Sequence, residues 1–149
     1  MGRPIKSRKV EFVPHIRRFT PSKESSTDIQ NYEAEGICLK LEELESMRLR
    51  DIEGLTQQEC ADTMGISRQT FQNIIATARK KVTTALLEGK ALSIRGGNYR
   101  FDFCRLRCKS CNRVYEIEYM RDRNICPICS SQRVVCKRKT EECTDWCSK

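Results

Sequence analysis

Residues 55–82 read LTQQECADTMGISRQTFQNIIATARKKV, and they hold two helix starts separated by a short turn. Thr56 is a natural N-cap, and Glu59 three residues later completes a capping-box pattern. Ala61 and Met64 supply a small apolar face before Gly65, a residue type suited to the left-handed position past a helix end. Ile66 is a lone apolar plug in the turn, and Ser67 caps a second helix that can run to about Leu87 before Gly89. Two helices joined by a short turn containing Gly make a helix-turn-helix pattern.

The second helix separates a DNA reader from an ordinary helical hairpin. On a 3.6-residue period, Phe71, Ile74, Ile75, Ala78, Val82, Ala85 and Leu86 share one apolar stripe. Arg68, Gln69, Gln72 and Asn73 fall on the other side of the first two turns. Arg suits guanine O6 and N7, whereas Asn and Gln suit adenine N6 and N7, so this face can read a major groove. Ser67 and Thr70 suit capping or a phosphate contact, and Arg79, Lys80 and Lys81 suit phosphates. The bland alternative is a solvated polar face. Against it stand the clustering of donors at the helix start and the absence of an acidic residue from Ser67 until Glu88.

Charge is distributed unevenly along the 149 residues, whose formal net charge is +8. Residues 1–23 carry seven basic and one acidic side chain, and residues 24–66 carry three basic and eleven acidic. Residues 67–100 return to seven basic and one acidic. Basic arm and basic second helix flank an acidic scaffold, which favours a polyanion approached from one side. No secretory signal or run of membrane-spanning length is visible, so the chain is expected to be cytoplasmic with no membrane partner. That compartment favours metal thiolates over structural disulfides.

Three parts are expected. Residues 1–26 read as a basic extended arm with a short strand near 9–13, in which Arg3 and Lys6 can touch a minor groove or phosphates; a disordered basic tail is the alternative. Residues 27–97 read as the helix-turn-helix domain, with a short strand at 37–41 and helices at about 41–52, 56–64 and 67–88. In the first helix, Leu41, Leu44, Met47 or Arg48, and Ile52 form the apolar stripe, and Glu42, Glu43 and Glu45 suit the positive N-terminal end. Gly96, Gly97 and Asn98 make a break. Beyond it Tyr99, Phe101 and Phe103, then Val114, Tyr115, Ile117 and Tyr119, suggest strands.

Several separate motifs in the first two-thirds of the chain carry a resemblance. They are Arg3-Pro4, LEELESMRLRD at 41–51, Glu53-Gly54-Leu55, Met64 to Arg68, Thr70-Phe71, Ala78 to Val82, and LLEGKALSIRGG at 86–97. With these the chain resembles an uncharacterised prokaryotic family of small predicted DNA-binding proteins whose helix-turn-helix is similar to region four of sigma factors. The resemblance implies DNA binding without naming an operator. Gln72 and Asn73 stand where Gly-Arg is often found in that family, which implies a different preferred sequence.

Residues 98–149 hold eight of the ten cysteines and few aliphatic side chains. Such a segment needs something besides burial to hold it. Cys108-Lys-Ser-Cys111 and Cys126-Pro-Ile-Cys129 are separated by fourteen residues, a spacing that brings four thiolates to one tetrahedral ion. The pattern resembles a zinc ribbon with flanking strands at 105–107 and 133–137. Zinc is the default ion, and rubredoxin-like iron or a thioredoxin-like redox pair are the alternatives. Cys104, Cys136, Cys143 and Cys147 can form a second site holding zinc or an iron–sulfur cluster; the alternative is buried or free thiols. Cys38 and Cys60 read as packing residues, and Trp146 as packing near the second cysteine group.

The expected fold class is therefore mainly α, a three-helix helix-turn-helix domain with a small metal-stabilised β, zinc-ribbon-like C-terminal domain. The expected function is a sequence-specific transcriptional regulator bound to double-stranded DNA. Its alternatives are a metal- or redox-sensing regulator and an adaptor of the transcription machinery, and a homodimer is compatible with any of them. His15 is the only histidine, and no nucleophile elbow, Walker loop or dinucleotide fingerprint occurs, so an enzyme is not expected.

Overall fold

The computed structural model describes residues 2–21 and 36–137. Cys143, Cys147 and Trp146 lie outside the described residues, so the second cysteine group is described only at Cys104 and Cys136. Two compact units are present: residues 12–97, and residues 2–11 together with 98–137.

The fold is mixed α/β, which corrects the expectation of a mainly α protein. Among the described residues eight strands form three sheets beside three α-helices. The unit of residues 12–97 contains β2 (Arg18–Phe19), β3 (Ile37–Leu39), α1 (Leu41–Met47), α2 (Gln57–Met64), α3 (Arg68–Glu88) and β4 (Leu92–Ile94). Its sheet runs β2-β4-β3, with β3 parallel to β4 in the register Ile37↔Leu92, Cys38↔Ser93, Leu39↔Ile94. Parallel neighbours need a long crossover, and the three helices are that crossover. The expected strand at 37–41 forms as β3, whereas β2 and β4 escape sequence reading because they are two or three residues long, too short to show a period of two.

The α2 and α3 caps form as their sequence dictates. Thr56 Oγ1 accepts from Glu59 N at 3.2 Å, and Glu59 Oε2 accepts from Thr56 N at 2.7 Å. Gly65 takes φ 66°, which lets α2 stop within one residue. Ser67 Oγ accepts from Thr70 N at 3.1 Å and opens α3. Leu49, Cys60, Ala61, Met64, Ile66, Phe71 and Ile75 are buried together, so the turn residue Ile66 is a core residue.

Two stripe assignments need correction. α1 gives way to a π-helical turn at Arg48–Ile52, closed by Glu53 N donating to Arg48 O at 3.0 Å. The wider turn sends Leu49 inward and leaves Ile52 79 % exposed. Leu86 is also exposed, because it lies in the last turn of α3, off the face that buries Ala78 and Ala85. The acidic residues Glu42, Glu43 and Glu45, expected at the positive end of α1, are buried there. Lys81 Nζ lies 2.8 Å from Glu43 Oε2, and Arg48 grips Glu45 through two hydrogen bonds of 3.0 and 2.8 Å.

In the other unit β1 (Arg8–Val10) runs parallel to β5 (Tyr99–Phe101), in the register Arg8↔Tyr99, Lys9↔Arg100, Val10↔Phe101. The arm is thus structured where it is described: residues up to Glu11 belong to this unit, and β2 belongs to the other. The third sheet runs β7-β6-β8, with β6 at Arg105–Cys108, β7 at Val114–Glu116 and β8 at Val134–Cys136. Ser7 is buried and donates to Glu118 O at 2.9 Å, which fastens the arm beside the segment after β7.

Candidate nucleic-acid interface and cysteine cluster

The polar start of α3 stands clear of the core. Arg68, Gln69 and Asn73 are exposed, Thr70 and Gln72 are half-buried, and Phe71, Ile75 and Ala78 are buried on the opposite side. Three hydrogen bonds order this surface. Gln69 Nε2 donates to Asn73 Oδ1 at 3.1 Å, and Gln72 Nε2 donates to Gln57 Oε1 at 2.8 Å. Arg68 Nη2 lies 3.5 Å from the same Gln57 oxygen. Gln57 is a residue that sequence reasoning missed. It sits in the first turn of α2, and its pairing with α3 spans 11 and 15 positions, which no helical periodicity reveals.

The basic residues farther along α3 differ among themselves. Arg79 Nη2 pairs with Asp51 Oδ1 at 2.6 Å, and Lys81 is held by Glu43, whereas Lys80 is exposed. Arg3 and Lys6 are exposed in the other unit, where Lys6 bridges to Tyr119. The candidate reader residues on α3 are therefore gathered on one helix, and Arg3 and Lys6 belong to the other unit.

The four cysteines of the two C-x-x-C pairs converge. Their sulfurs all lie within 4.8 Å of one another, with Cys108 Sγ 3.5 Å from Cys129 Sγ and Cys111 Sγ 3.8 Å from Cys126 Sγ. A tetrahedral ion with bonds of about 2.3 Å to sulfur needs sulfurs about 3.8 Å apart. The spacing fits a metal ion.

Two knuckles of the same construction produce this convergence. In the first, Asn112 at φ 60° donates its N–H to Cys108 O at 2.9 Å, and Cys108 N donates to Arg113 O at 3.0 Å. In the second, Ser130 at φ 61° donates to Cys126 O at 2.9 Å, and Cys126 N donates to Ser131 O at 2.8 Å. The leading cysteine of each knuckle is buried; Cys111 is half-buried and Cys129 exposed. Asp122 holds the approach to the second knuckle, its buried Oδ2 accepting from Glu118 N and Tyr119 N at 3.1 and 2.8 Å.

Electrostatics shows why the cluster suits a cation. Backbone N–H groups, first that of Cys111 and then that of Ser110, bring the Cys108 thiol down to about 6 against the opposition of burial. At Cys129 the Ser131 N–H also pulls down, but local desolvation by neighbouring atoms and the sulfurs of Cys108, Cys111 and Cys126 push the thiol up to about 12. Burial raises the Tyr115 hydroxyl to about 12, and the neighbouring Cys126, Asp122, Cys108 and Cys111 add to this; the hydroxyl donates to Asp122 O at 2.6 Å. Four thiolates at these separations repel one another until a cation is placed among them.

Cys104 and Cys136 pack against the ribbon core, whose buried members are Leu106, Cys108, Ile117, Cys126 and Val134. Leu106 is the cross-strand partner of Cys136. Cys104, which immediately precedes β6, packs against the same core as Cys136. Cys60 is fully buried and Cys38 half-buried, its Sγ 3.5 Å from Arg95 O.

A mixed α/β chain with a four-cysteine cluster compatible with metal binding is what the fold and site define. The chain belongs to the family described as protein of unknown function DUF134, which matches residues 1–102. It is 52 % identical over 147 residues to a UPF0251 protein of Clostridium tetani, covering 99 % of this chain and 97 % of that protein. A UPF0251 protein of Clostridium beijerinckii is also 52 % identical, with 99 % and 96 % covered, and one of Clostridium botulinum is 50 % identical, with 99 % and 90 % covered. No solved structure matches. Among the described residues no helix is long and apolar enough to cross a membrane.

Proposed function

We propose that the chain is a sequence-specific DNA-binding transcriptional regulator, with α2 and α3 acting as a helix-turn-helix and α3 entering the major groove. The observation that supports this most is the leading two turns of α3, where Arg68, Gln69, Gln72 and Asn73 present donors and acceptors away from the buried Phe71 and Ile75. Ser67 and Thr70 lie at the positive end of α3 beside a phosphate path, and Lys80 supplies a sequence-independent charge. Arg79 exchanges Asp51 for phosphate, and Arg3 and Lys6 add backbone or minor-groove contacts. Zinc occupies the site of Cys108, Cys111, Cys126 and Cys129 and acts structurally, since four protein thiolates close the coordination shell.

In-vitro selection of bound duplexes tests the reading. Arg68→Ala or Asn73→Ala is expected to lower base discrimination by roughly 1–3 kcal/mol. Lys80→Ala is expected to weaken all duplexes alike and to flatten the salt dependence. A wild-type chain that enriches no sequence, or a sequence-selective loss from Lys80→Ala, overturns it. Elemental analysis checks the ion: iron with visible absorbance in place of zinc sinks that part.

A further inference from the structure

We infer that Gln57 is a positioning residue that fixes which way Gln72 faces, and that Gln72 therefore reads an exocyclic amino group, on adenine or cytosine. The inference rests on the major-groove reading of α3 and deepens it.

The orientation of both amides follows from Arg68. A guanidinium can only donate, so the Gln57 atom 3.5 Å from Arg68 Nη2 is the oxygen. The same atom lies 2.8 Å from the side-chain amide of Gln72, so Gln72 must offer it a nitrogen. This orientation of the two amides satisfies Arg68, Gln57 and Gln72 together. With one N–H of its NH2 group given to Gln57, Gln72 keeps Oε1, which accepts no hydrogen bond among the described residues, and one further N–H. In the major groove, adenine N6 and cytosine N4 donate, whereas guanine and thymine present acceptors at the equivalent positions. A Gln free to rotate can present either end; a Gln pinned by Gln57 holds Oε1 in one direction, which gives its acceptor a fixed place against the bases. Gln72 is half-buried, which limits the alternatives further.

Gln57 lies in the first turn of a helix capped at Thr56 by a two-way hydrogen-bonded box, so its backbone is held independently of α3. That rigidity is what a positioning residue requires.

The experiment selects duplexes with the full chain, then measures competition by single-base-pair variants for wild type, Gln72→Ala, Gln57→Ala and Gln57→Glu. The base pair whose preference Gln72→Ala erases is expected to carry A or C on the strand read. Gln57→Ala is expected to flatten that same position by roughly fivefold or more while leaving the positions read by neither Gln72 nor Arg68, and the melting temperature, in place. Gln57→Glu keeps an acceptor toward both Gln72 and Arg68 and is expected to retain the preference. A guanine or thymine preference at that position overturns the inference, as does a Gln57→Ala profile identical to wild type, and both leave DNA binding standing. Absence of any selected sequence with wild type overturns both readings. If Gln57→Ala does not fold, loss of the preference in the folded Gln57→Glu chain decides against the inference by itself.

Discussion

Gly97 shows how one residue can be set by a distant side chain. Its φ is 118°, and a Cβ there would run into the carboxylate of Glu42, which is buried at the start of α1. Two penalties coincide, a backbone region that side chains avoid and a collision with a buried charged group. Gly97→Ala should therefore lower stability by about 2 kcal/mol or more in urea unfolding; a change within about 0.5 kcal/mol would contradict both the backbone strain and the collision. Gly97 reads in the sequence only as a break. Its partner 55 residues earlier is visible only in the fold.

At the scale of elements, α1 and α3 are joined by charge as well as by packing. Glu43 is nearly buried, its Oε2 also accepting from Lys40 N at 2.9 Å, and Lys81 reaches it from α3. Removing one partner strands the other, so Lys81→Ala should cost on the order of 3 kcal/mol. Lys81→Met in the Glu43→Leu background should recover much of it, and a Lys81→Ala variant as stable as wild type would refute the assignment. The α2 cap makes a pH prediction. Hydrogen bonds from the Thr56 backbone, and then its side chain, hold the Glu59 carboxyl below its usual value of 4.5. Its contribution is therefore complete above that value and is lost as pH falls through the depressed one. Thermal melts of wild type and Glu59→Ala should converge in acid and separate toward neutrality; a constant gap would contradict the linkage.

At the scale of the whole molecule, each unit contains a buried cluster, and the two differ in make-up. The cluster of residues 49–75 joins seven buried side chains from several helical turns, whereas the ribbon cluster has five, two of them thiol-bearing knuckle residues. Chelation, or Cys111→Ser, should remove one equivalent of metal and collapse amide protection across residues 104–136. The helices at 57–88 should keep theirs. Hydrogen exchange that leaves the ribbon protected after metal removal would mean that its core suffices without the ion.

The α2–α3 caps, the turn at Gly65, the length of α3 and the two cysteine knuckles were legible because each is a local rule. A cap, a left-handed glycine and a C-x-x-C turn need only the residues within a few positions of them. Tertiary structure alone decided the mixed α/β class, since β3 and β4 are three residues each and pair across a gap of more than fifty positions. It likewise decided the burial of Glu42, Glu43 and Glu45, the outward turn of Ile52 and the convergence of Arg68 and Gln72 on Gln57. These depend on which surfaces meet after the chain has closed on itself, and no periodicity along a single element records that meeting.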